Sequence, residues 1–333
     1  MGIFDRLFGK KSPPSSAQVP SKPLVTIHVS FSGKFLTIDA INFFGQFAKS
    51  KSGEWIVAWR DADIEQQRGG HRVSGMGEYL LFNTKTNSIN LQGRMARPNN
   101  GNVANDGHFS LEDWHFGREL GGTFNVFSPN GDQKIKRVVS ANIFNSALSD
   151  DGRYAVFQTA NTPNGGDGNL LIAFEVEHGK ELFAVRPQTG WADKYEFKEN
   201  PTAIVVSHKG IGKFKYDAHG NFIDAEKFKL ACLSCNRYEV LLPAVAELLK
   251  TEALSRKDAQ KALEAILSAK SLGAENDKGW RATAFKLQGQ AFEVLGEIKE
   301  AIASYEEALA SNPKIGVKQK LAALKKMTPN PAL

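Results

Sequence analysis

Residues 145–185 read NSALSDDGRYAVFQTANTPNGGDGNLLIAFEVEHGKELFAV, and this stretch decides the fold. Four short segments with apolar residues at alternating positions are separated by DDG, NTPNGGDG and HGK. Gly, Asp and Asn adopt the positive φ angles that tight turns between strands require. The stretch therefore predicts a four-stranded antiparallel meander, which needs neighbours because a single sheet cannot bury its own apolar face.

The same order of strands and turns recurs along the chain. Three further stretches share it, namely residues 45–95, 101–139 and 194–228. The first turns of the four units fall at or near Gly53, Gly107, Gly152 and Asn200. Ahead of them, residues 25–41 form a lone predicted hairpin that matches the second half of a unit. A repeat of this length is typical of a propeller or another array, in which each unit buries its neighbour's apolar face.

The third unit resembles the WD40-related β-propellers in the pieces LSDDGRYAV and EVEHGKELFAV. Phe174 and Glu175 stand near the place of the Trp-Asp dipeptide, and no unit begins with the Gly-His signature. The resemblance therefore implies the propeller architecture rather than the WD40 family itself. We expect an all-β propeller-like domain of about four to five four-stranded blades over residues 24–235. A β-sandwich is the alternative, because short alternating strands also suit that class.

From residue 236 to residue 330 the apolar period changes to that of amphipathic helices. The helix pair predicted over residues 282–313 is similar to a tetratricopeptide repeat (TPR). Gly289 and Ala308 are small residues at positions where the two helices of such a repeat approach closely. The interior positions of the repeat are filled by Phe292, Ala301 and Tyr305. We expect an α-helical TPR-like domain that leans on the β domain or on another copy of itself, since about three repeats are needed for stability.

The N-terminal stretch MGIFDRLFGKK predicts a short amphipathic helix over residues 1–11. The candidates for membrane contact are Ile3, Phe4, Leu7, Phe8, Lys10 and Lys11. Residues 12–23 form a Pro/Ser-rich linker. No run approaches the roughly 18 apolar residues of a membrane span. N-terminal segments of this kind look similar to those of bacterial cytoplasmic and membrane-peripheral proteins. We therefore expect a cytoplasmic protein, and weak contact with the inner face of the membrane is the alternative that stays open.

The composition excludes several classes of protein. The chain has 333 residues and a net charge of +6, and its Lys and Arg residues are scattered. A nucleic-acid ligand is not expected, because its electrostatic footprint requires basic residues clustered on one face. With only two cysteines no disulfide framework supports the fold, which favours a reducing compartment.

The two cysteines, Cys232 and Cys235, offer two thiolates at metal-ligand spacing. A structural zinc site needs four ligands, and His208 and His219 are the residues that could complete one across the fold. A redox CxxC is a further option, because the motif precedes a predicted helix. We interpret the pair as structural, retain it as a candidate metal site, and expect no cofactor.

Candidate functional residues fall into two groups. Asp113 and His115 stand two apart in a predicted strand, which places them on one face, and a carboxylate beside a histidine suits general acid–base chemistry. His71, in a glycine-rich loop, is the third catalytic candidate. The candidate partner-binding residues are the aromatics Trp55, Trp59, Trp114 and Trp191, which are interface anchors if exposed, and core packing is the alternative that we expect for most of them.

The chain shows no GxSxG, HExxH or Walker pattern. We therefore interpret it as a non-enzymatic protein–protein interaction protein, namely a bacterial cytoplasmic scaffold or adaptor, or an immunity-like inhibitor that binds another protein. The alternative is a hydrolase or metal-dependent enzyme with its site on the propeller rim or axis.

Overall fold

The computed structural model describes residues 27–70, 72–116, 120–163, 165–200, 202–251 and 254–327. Within these ranges the chain forms seventeen β-strands in four antiparallel sheets, followed by six α-helices. Every sheet is built from strands that are consecutive in sequence, as the repeating pattern predicts.

The strands are distributed over the sheets as follows. The first sheet contains β1 (Val29–Ser32), β2 (Phe35–Ile38), β3 (Phe43–Lys49), β4 (Trp55–Arg60), β5 (Gly77–Asn83) and β6 (Ser88–Met95). The second contains β7 (Pro98–Val103), β8 (Phe109–Asp113), β9 (Gly122–Phe127) and β10 (Gln133–Val139). The third contains β11 (Ile143–Leu148), β12 (Tyr154–Thr159), β13 (Leu171–Glu175) and β14 (Lys180–Val185). The fourth contains β15 (Lys194–Glu199), β16 (Thr202–His208) and β17 (Gly212–Asp217).

Neighbouring sheets pack face to face through apolar side chains. One buried cluster joins the first and second sheets and includes Val57, Trp59, Leu81, Phe109, Leu111 and Phe127. The second and third sheets meet at Phe124, whose ring centroid lies 4.8 Å from that of Phe157. The third and fourth sheets share a cluster that includes Val156, Leu171, Phe183, Ile204, Phe214 and Tyr216. The second and third meanders therefore bury their apolar faces against the units before and after them, as their sequence requires.

Equivalent turns of successive units contact one another at one end of the stack. The backbone N–H of Ser52 donates to Asn105 Oδ1 (2.7 Å), and the N–H of Asn105 donates to the carbonyl of Asp150 (2.8 Å). Gly53 and Gly152 occupy the same left-handed position, with φ of 75° and 76°. The first three units are therefore stacked in the same orientation, and their predicted turns form one edge, the short-turn end.

Longer connections gather at the opposite end, because antiparallel strands alternate in direction. Four of them exceed the five residues of the short turns, namely residues 61–76, 114–121, 160–170 and 186–193. We call this end the long-loop face. Its connections also contact each other, since Trp191 Nε1 donates to the carbonyl of Thr159 (3.1 Å) and Gly121 N–H donates to Asn142 Oδ1 (3.3 Å). Long connections held on a rigid scaffold are where binding residues are most often found.

The fourth unit has three strands instead of the predicted four. Residues expected to complete it form helix α1 (Ala225–Leu233), which begins inside the stretch predicted to be β structure up to residue 235. Phe228 and Ala231 stand three residues apart and pack against the third and fourth sheets, which is a helical rather than an alternating pattern. The outer face of this sheet is charged and carries a Lys213–Glu196 ion pair.

A hairpin covers the outer face of the first sheet. Strand β3 pairs with β2 through its first half and with β4 through its second half, so the sheet folds over itself. Leu36 and Ile38 of β2 thereby join the buried cluster that holds Ile56 and Leu80. The lone hairpin predicted ahead of the repeats is therefore a cover for the first sheet, and it is continuous with that sheet.

The remaining helices form antiparallel pairs and a final helix. They are α2 (Tyr238–Leu248), α3 (Arg256–Ala269), α4 (Arg281–Leu295), α5 (Ile298–Ser311) and α6 (Lys318–Met327). A Cβ added at Gly289 of α4 would lie 2.6 Å from the Tyr305 ring of α5, so the close approach expected at Gly289 is present. Ile211, between β16 and β17, packs against the helical core and thus joins it to the sheets. None of the described helices is long and apolar enough to cross a membrane.

We predict that Gly45→Ala destabilises the protein by about 1–3 kcal/mol. A Cβ at this position would overlap the carbonyl oxygen of Trp59 and lie 2.9 Å from the Phe43 ring, at the point where β3 changes partner. The free energy of unfolding is measured by urea denaturation. Gly69→Ala is the matched control, because its Cβ would meet nothing closer than 3.8 Å. Equal stability of the two variants would contradict the close approach at Gly45.

Candidate binding face

The long-loop face and its edges carry eight of the eighteen exposed large apolar side chains of the described residues, and the hairpin over the first sheet carries four more, Phe31, Phe35, Ile41 and Phe44. Those in or next to the long-loop connections are Ile64, Val73, Met76, Trp114, Leu120, Val138, Phe144 and Trp191. The short turns at the other end carry no exposed large apolar side chain among the described residues. Concentrated apolar exposure on one end of a folded protein marks a surface that binds something.

Two of the four candidate tryptophans lie on this face and are held rigidly. Trp114 and Trp191 are 44% and 45% exposed. The indole N–H of Trp114 donates to Glu112 Oε2 (2.9 Å), and that of Trp191 donates to the carbonyl of Thr159 (3.1 Å). Phe144, 49% exposed, stacks on Trp191 at 5.3 Å between ring centroids. The three rings are therefore partly exposed to solvent while hydrogen bonds or stacking hold them in place.

Trp55 and Trp59 belong to the core instead. Both lie on β4, which is paired on each side, and both pack in the cluster between the first and second sheets. Trp59 is buried, and its Nε1 has no hydrogen-bond partner among the described residues. Because this central strand is covered on both faces, Trp59 is not available to a partner and Trp55 is half-buried.

A fully buried carboxylate lies directly behind Trp114. Glu112, on β8, accepts hydrogen bonds from Asn100 Nδ2 (2.5 Å) and Ser146 Oγ (2.7 Å) through Oε1 and from the Trp114 indole through Oε2. Ser146 lies on β11, so the carboxylate links the second sheet to the third. Burial raises the pKa of Glu112, and the three hydrogen bonds oppose that rise.

Bulges in two neighbouring strands shape this region. The register of β7 shifts between Asn99 and Gly101, which leaves Asn100 unpaired with φ of 37°. The register of β11 shifts between Ile143 and Asn145, which leaves Phe144 as the extra residue. Bulges redirect a side chain away from the regular alternation of a strand. Here one bulge brings an amide to Glu112, and the other turns an aromatic ring outward.

The polar network continues into the fourth sheet. The Tyr195 hydroxyl lies within hydrogen-bond distance of Asn145 Oδ1 and of Gln158 Oε1 (2.8 Å) and donates its single proton to one of them, and Gln158 is fully buried. Burial and the nearby Glu112 carboxylate raise the pKa of Tyr195. Network members come from β7, β8, β11, β12 and β15, so residues distant in sequence meet only after the sheets stack. Sequence reasoning missed Glu112 as a site residue, because all but the last residue of β8 are buried and no alternation marks it.

We predict that Glu112 makes stability depend on pH in a direction opposite to that of ordinary surface carboxylates. The folded state binds a proton at pH values where the unfolded chain, with a pKa near 4.5, does not. The free energy of unfolding of the wild type, minus that of Glu112→Gln, should therefore rise as the pH is lowered from neutral and level off below about 4.5. Urea denaturation across this pH range measures it, with the exposed Glu247→Gln as control. A difference that does not vary with pH would contradict the burial effect on Glu112.

The two described catalytic candidates bind different partners. Strand β8 ends at Asp113, and His115 has φ of 28°, so the alternation of a strand does not place them on one face. Asp113 Oδ1 accepts from the backbone N–H of Arg97 (2.9 Å), whereas His115 Nε2 is hydrogen bonded to Thr123 Oγ1 (2.7 Å). His71 lies outside the described residues, as do the six candidates for membrane contact, Ile3, Phe4, Leu7, Phe8, Lys10 and Lys11.

An ion cluster ties the loop after β4 to the rest of the long-loop face. Asp61 pairs with Arg72 Nη1 (2.7 Å) and Arg97 Nη2 (3.0 Å). The Arg72 guanidinium also lies over the Phe116 ring, 5.4 Å from its centroid. These contacts fix the loop that carries Val73 and Met76 beside the strand end that carries Trp114.

The two cysteines are buried at the junction of sheets and helices. Cys232 lies in the last turn of helix α1, and Cys235 packs in the helical core. Burial, together with the neighbouring Cys235, raises the pKa of Cys232 to about 11, so the thiolate that metal or redox chemistry requires is disfavoured. Among the described residues neither cysteine belongs to a group of three possible metal ligands. One such group exists in the described ranges, Glu175, Glu177 and His178, and it lies at an exposed turn.

Two solved structures are similar to about half of this chain. No family model and no curated protein matches the chain. The structure of the Dos1 propeller is similar over 53% of this chain and 43% of that chain, with 11% identity and a TM-score of 0.35. The complex of KlAtg21 with the coiled coil of AgAtg16 is similar over 55% of this chain and 59% of that chain, with 10% identity and a TM-score of 0.37. The chain thus spans about half the length of these two structures.

Proposed function

We propose that this protein is a non-enzymatic interaction protein, a bacterial cytoplasmic scaffold or adaptor or an inhibitor, that binds another protein through its long-loop face. The observation that carries the proposal is the set of exposed aromatic rings fixed on that face. The rings of Trp114, Phe144 and Trp191 are large, apolar and held by hydrogen bonding or stacking.

Such rings are the side chains that supply most of the binding energy in protein interfaces. A ring that is already fixed loses little conformational entropy when a partner binds, so more of its contact energy appears as affinity. The ion cluster around Asp61 acts in the same direction, because it holds a neighbouring loop in place.

We also propose that the sheets form a propeller-like array and that the helices form a TPR-like region beside it. Both architectures present extended surfaces to partners. The observations in support are the stacked equivalent turns and the close packing of α4 on α5 at Gly289. The fold alone does not assign a function, so the proposal rests on the exposed rings.

The partner is tested by affinity capture from a lysate of the source cell. We expect the wild-type chain to retain a partner, and Trp114→Ala/Trp191→Ala to retain about tenfold less or lower, since loss of an interface anchor costs at least about 1.4 kcal/mol. Recovered proteins are quantified by mass spectrometry, and each variant is checked for an unchanged thermal transition.

Leu230→Ser is the control, because Leu230 is an exposed apolar residue of α1 and belongs to none of the long-loop connections. Recovery that falls equally in the control, or that is unchanged in the tryptophan variant, would refute binding through this face. If the wild type captures no partner, the adaptor proposal fails.

In addition to the protein partner, we propose that residues 1–11 contact the membrane surface. Their sequence places Ile3, Phe4, Leu7 and Phe8 on one side of a helical pattern, followed by Lys10 and Lys11. A single short segment of this kind binds weakly and requires anionic lipid.

We expect the full chain to float with vesicles that contain about 30% anionic lipid at low salt, and a chain lacking residues 1–22 to remain unbound. Flotation in a density gradient measures this, with uncharged vesicles as control. Equal flotation of the two chains would show that the N-terminal segment is not the anchor.

A further inference from the structure

The carboxylate behind the exposed rings has no cation to balance it. All three described donors to Glu112 are neutral, namely the Asn100 amide, the Ser146 hydroxyl and the Trp114 indole. Burial and, in turn, the Glu112 carboxylate raise the pKa of Tyr195, which lies on the fourth sheet. Strand β9 places Phe124 opposite Glu112, and β7 contributes amides.

The nearest charged groups along the chain are already engaged. Asp113 accepts from the Arg97 backbone, and the Arg97 guanidinium binds Asp61. Neither group has a contact with the Glu112 carboxylate within the described part of the chain. An ionised carboxylate in such a place is costly unless a positive charge approaches it.

The exposed rings lie beside this carboxylate. Trp114 is hydrogen bonded to Oε2, and Ser146, bonded to Oε1, follows Phe144 by two residues on the same strand. Phe144 in turn stacks on Trp191. The faces of Trp and Phe rings attract cations, most strongly where water is excluded. The exposed aromatic rings and the carboxylate behind them, which has no paired cation among its described contacts, therefore both favour a positively charged ligand.

We propose that the long-loop face receives a Lys or Arg side chain of the partner protein against Trp114 and the Phe144–Trp191 pair, with Glu112 supplying the compensating negative charge. This rests on the proposed function and specifies the chemistry of the partner. The bound cation stabilises the ionised form of Glu112, so binding releases a proton and is stronger at higher pH. A purely structural Glu112, which only links the second sheet to the third, has neither property.

The probe is tetramethylammonium, with tert-butanol as an uncharged molecule of similar shape. We expect tetramethylammonium to shift the indole N–H resonances of Trp114 and Trp191 in a saturable way, while tert-butanol has no such effect. Two-dimensional NMR of the full chain, labelled with ¹⁵N, measures the shifts. Their amplitude should increase from pH 5 to pH 7.5, and this increase should be absent in Glu112→Gln.

Three variants distinguish the contribution of the Glu112 charge, the contribution of the Phe144 ring and effects unrelated to the site. Glu112→Gln retains the size of the side chain but removes its charge, and should weaken tetramethylammonium binding about fivefold or more. Phe144→Leu leaves Glu112 and its donors intact and should weaken binding about threefold. Glu247→Gln, remote on α2, should leave binding unchanged. Dispersed NMR spectra confirm that each variant is folded. If Glu112→Gln does not fold, Phe144→Leu still tests the proposal.

The outcomes separate this inference from the proposed function. Equal responses to the charged and uncharged probes, or unchanged binding in both Glu112→Gln and Phe144→Leu, would overturn cation recognition. If partner capture still depends on Trp114 and Trp191 in that case, the face binds its partner through apolar contacts alone. If capture is also independent of the tryptophans, the proposed function fails as well.

Discussion

The structure depends on face-to-face packing of sheets that cannot bury their apolar sides alone. A four-stranded meander presents two faces, and each inner meander here is covered on both by its neighbours. Because every unit is buried by the next, the alignment of their turns is part of what holds the stack together. The bond from Ser52 to Asn105 and that from Asn105 to Asp150 hold successive units at the same height. Once the units are aligned, all long connections must emerge at the other end.

This arrangement explains how polar groups come to lie inside a β stack. Strands β7 and β11 of adjacent sheets lie against each other, and their bulges interrupt the apolar pattern at the same level. The interruption makes room for Glu112 and its donors, which satisfy one another across the sheet boundary. A buried network of this kind is stable only when each member is hydrogen bonded. It therefore also fixes how the second and third sheets meet.

Much of the fold could be predicted from the sequence because its signals are local. Turn residues such as Gly53 and Gly152, and alternating strands between them, need no knowledge of distant contacts. The sequence does not predict that helix α1 replaces a fourth strand. The apolar residues of α1 are few, and their spacing also fits the repeating strand pattern. Trp59 and Trp191 differ in exposure only because one lies on a central strand and the other in a connection. The role of Glu112 was not predictable, because the Ser146 hydroxyl comes from another sheet and the Asn100 amide reaches it through a bulge.

The hairpin that folds over the first sheet determines how far the stack can grow. One terminal face is sealed by its own chain through Leu36 and Ile38, and the opposite terminal face carries charged residues such as Lys213 and Glu196. Repeat arrays without such ends present bare apolar faces on which further copies can stack. The two ends are unlike each other, because the hairpin exposes the rings of Phe31, Phe35 and Phe44 whereas the opposite face is charged, so copies have no matching surfaces for end-to-end growth. The stack is thus a unit of finite length that ends in exposed aromatic rings at the hairpin and in charged residues at the fourth sheet.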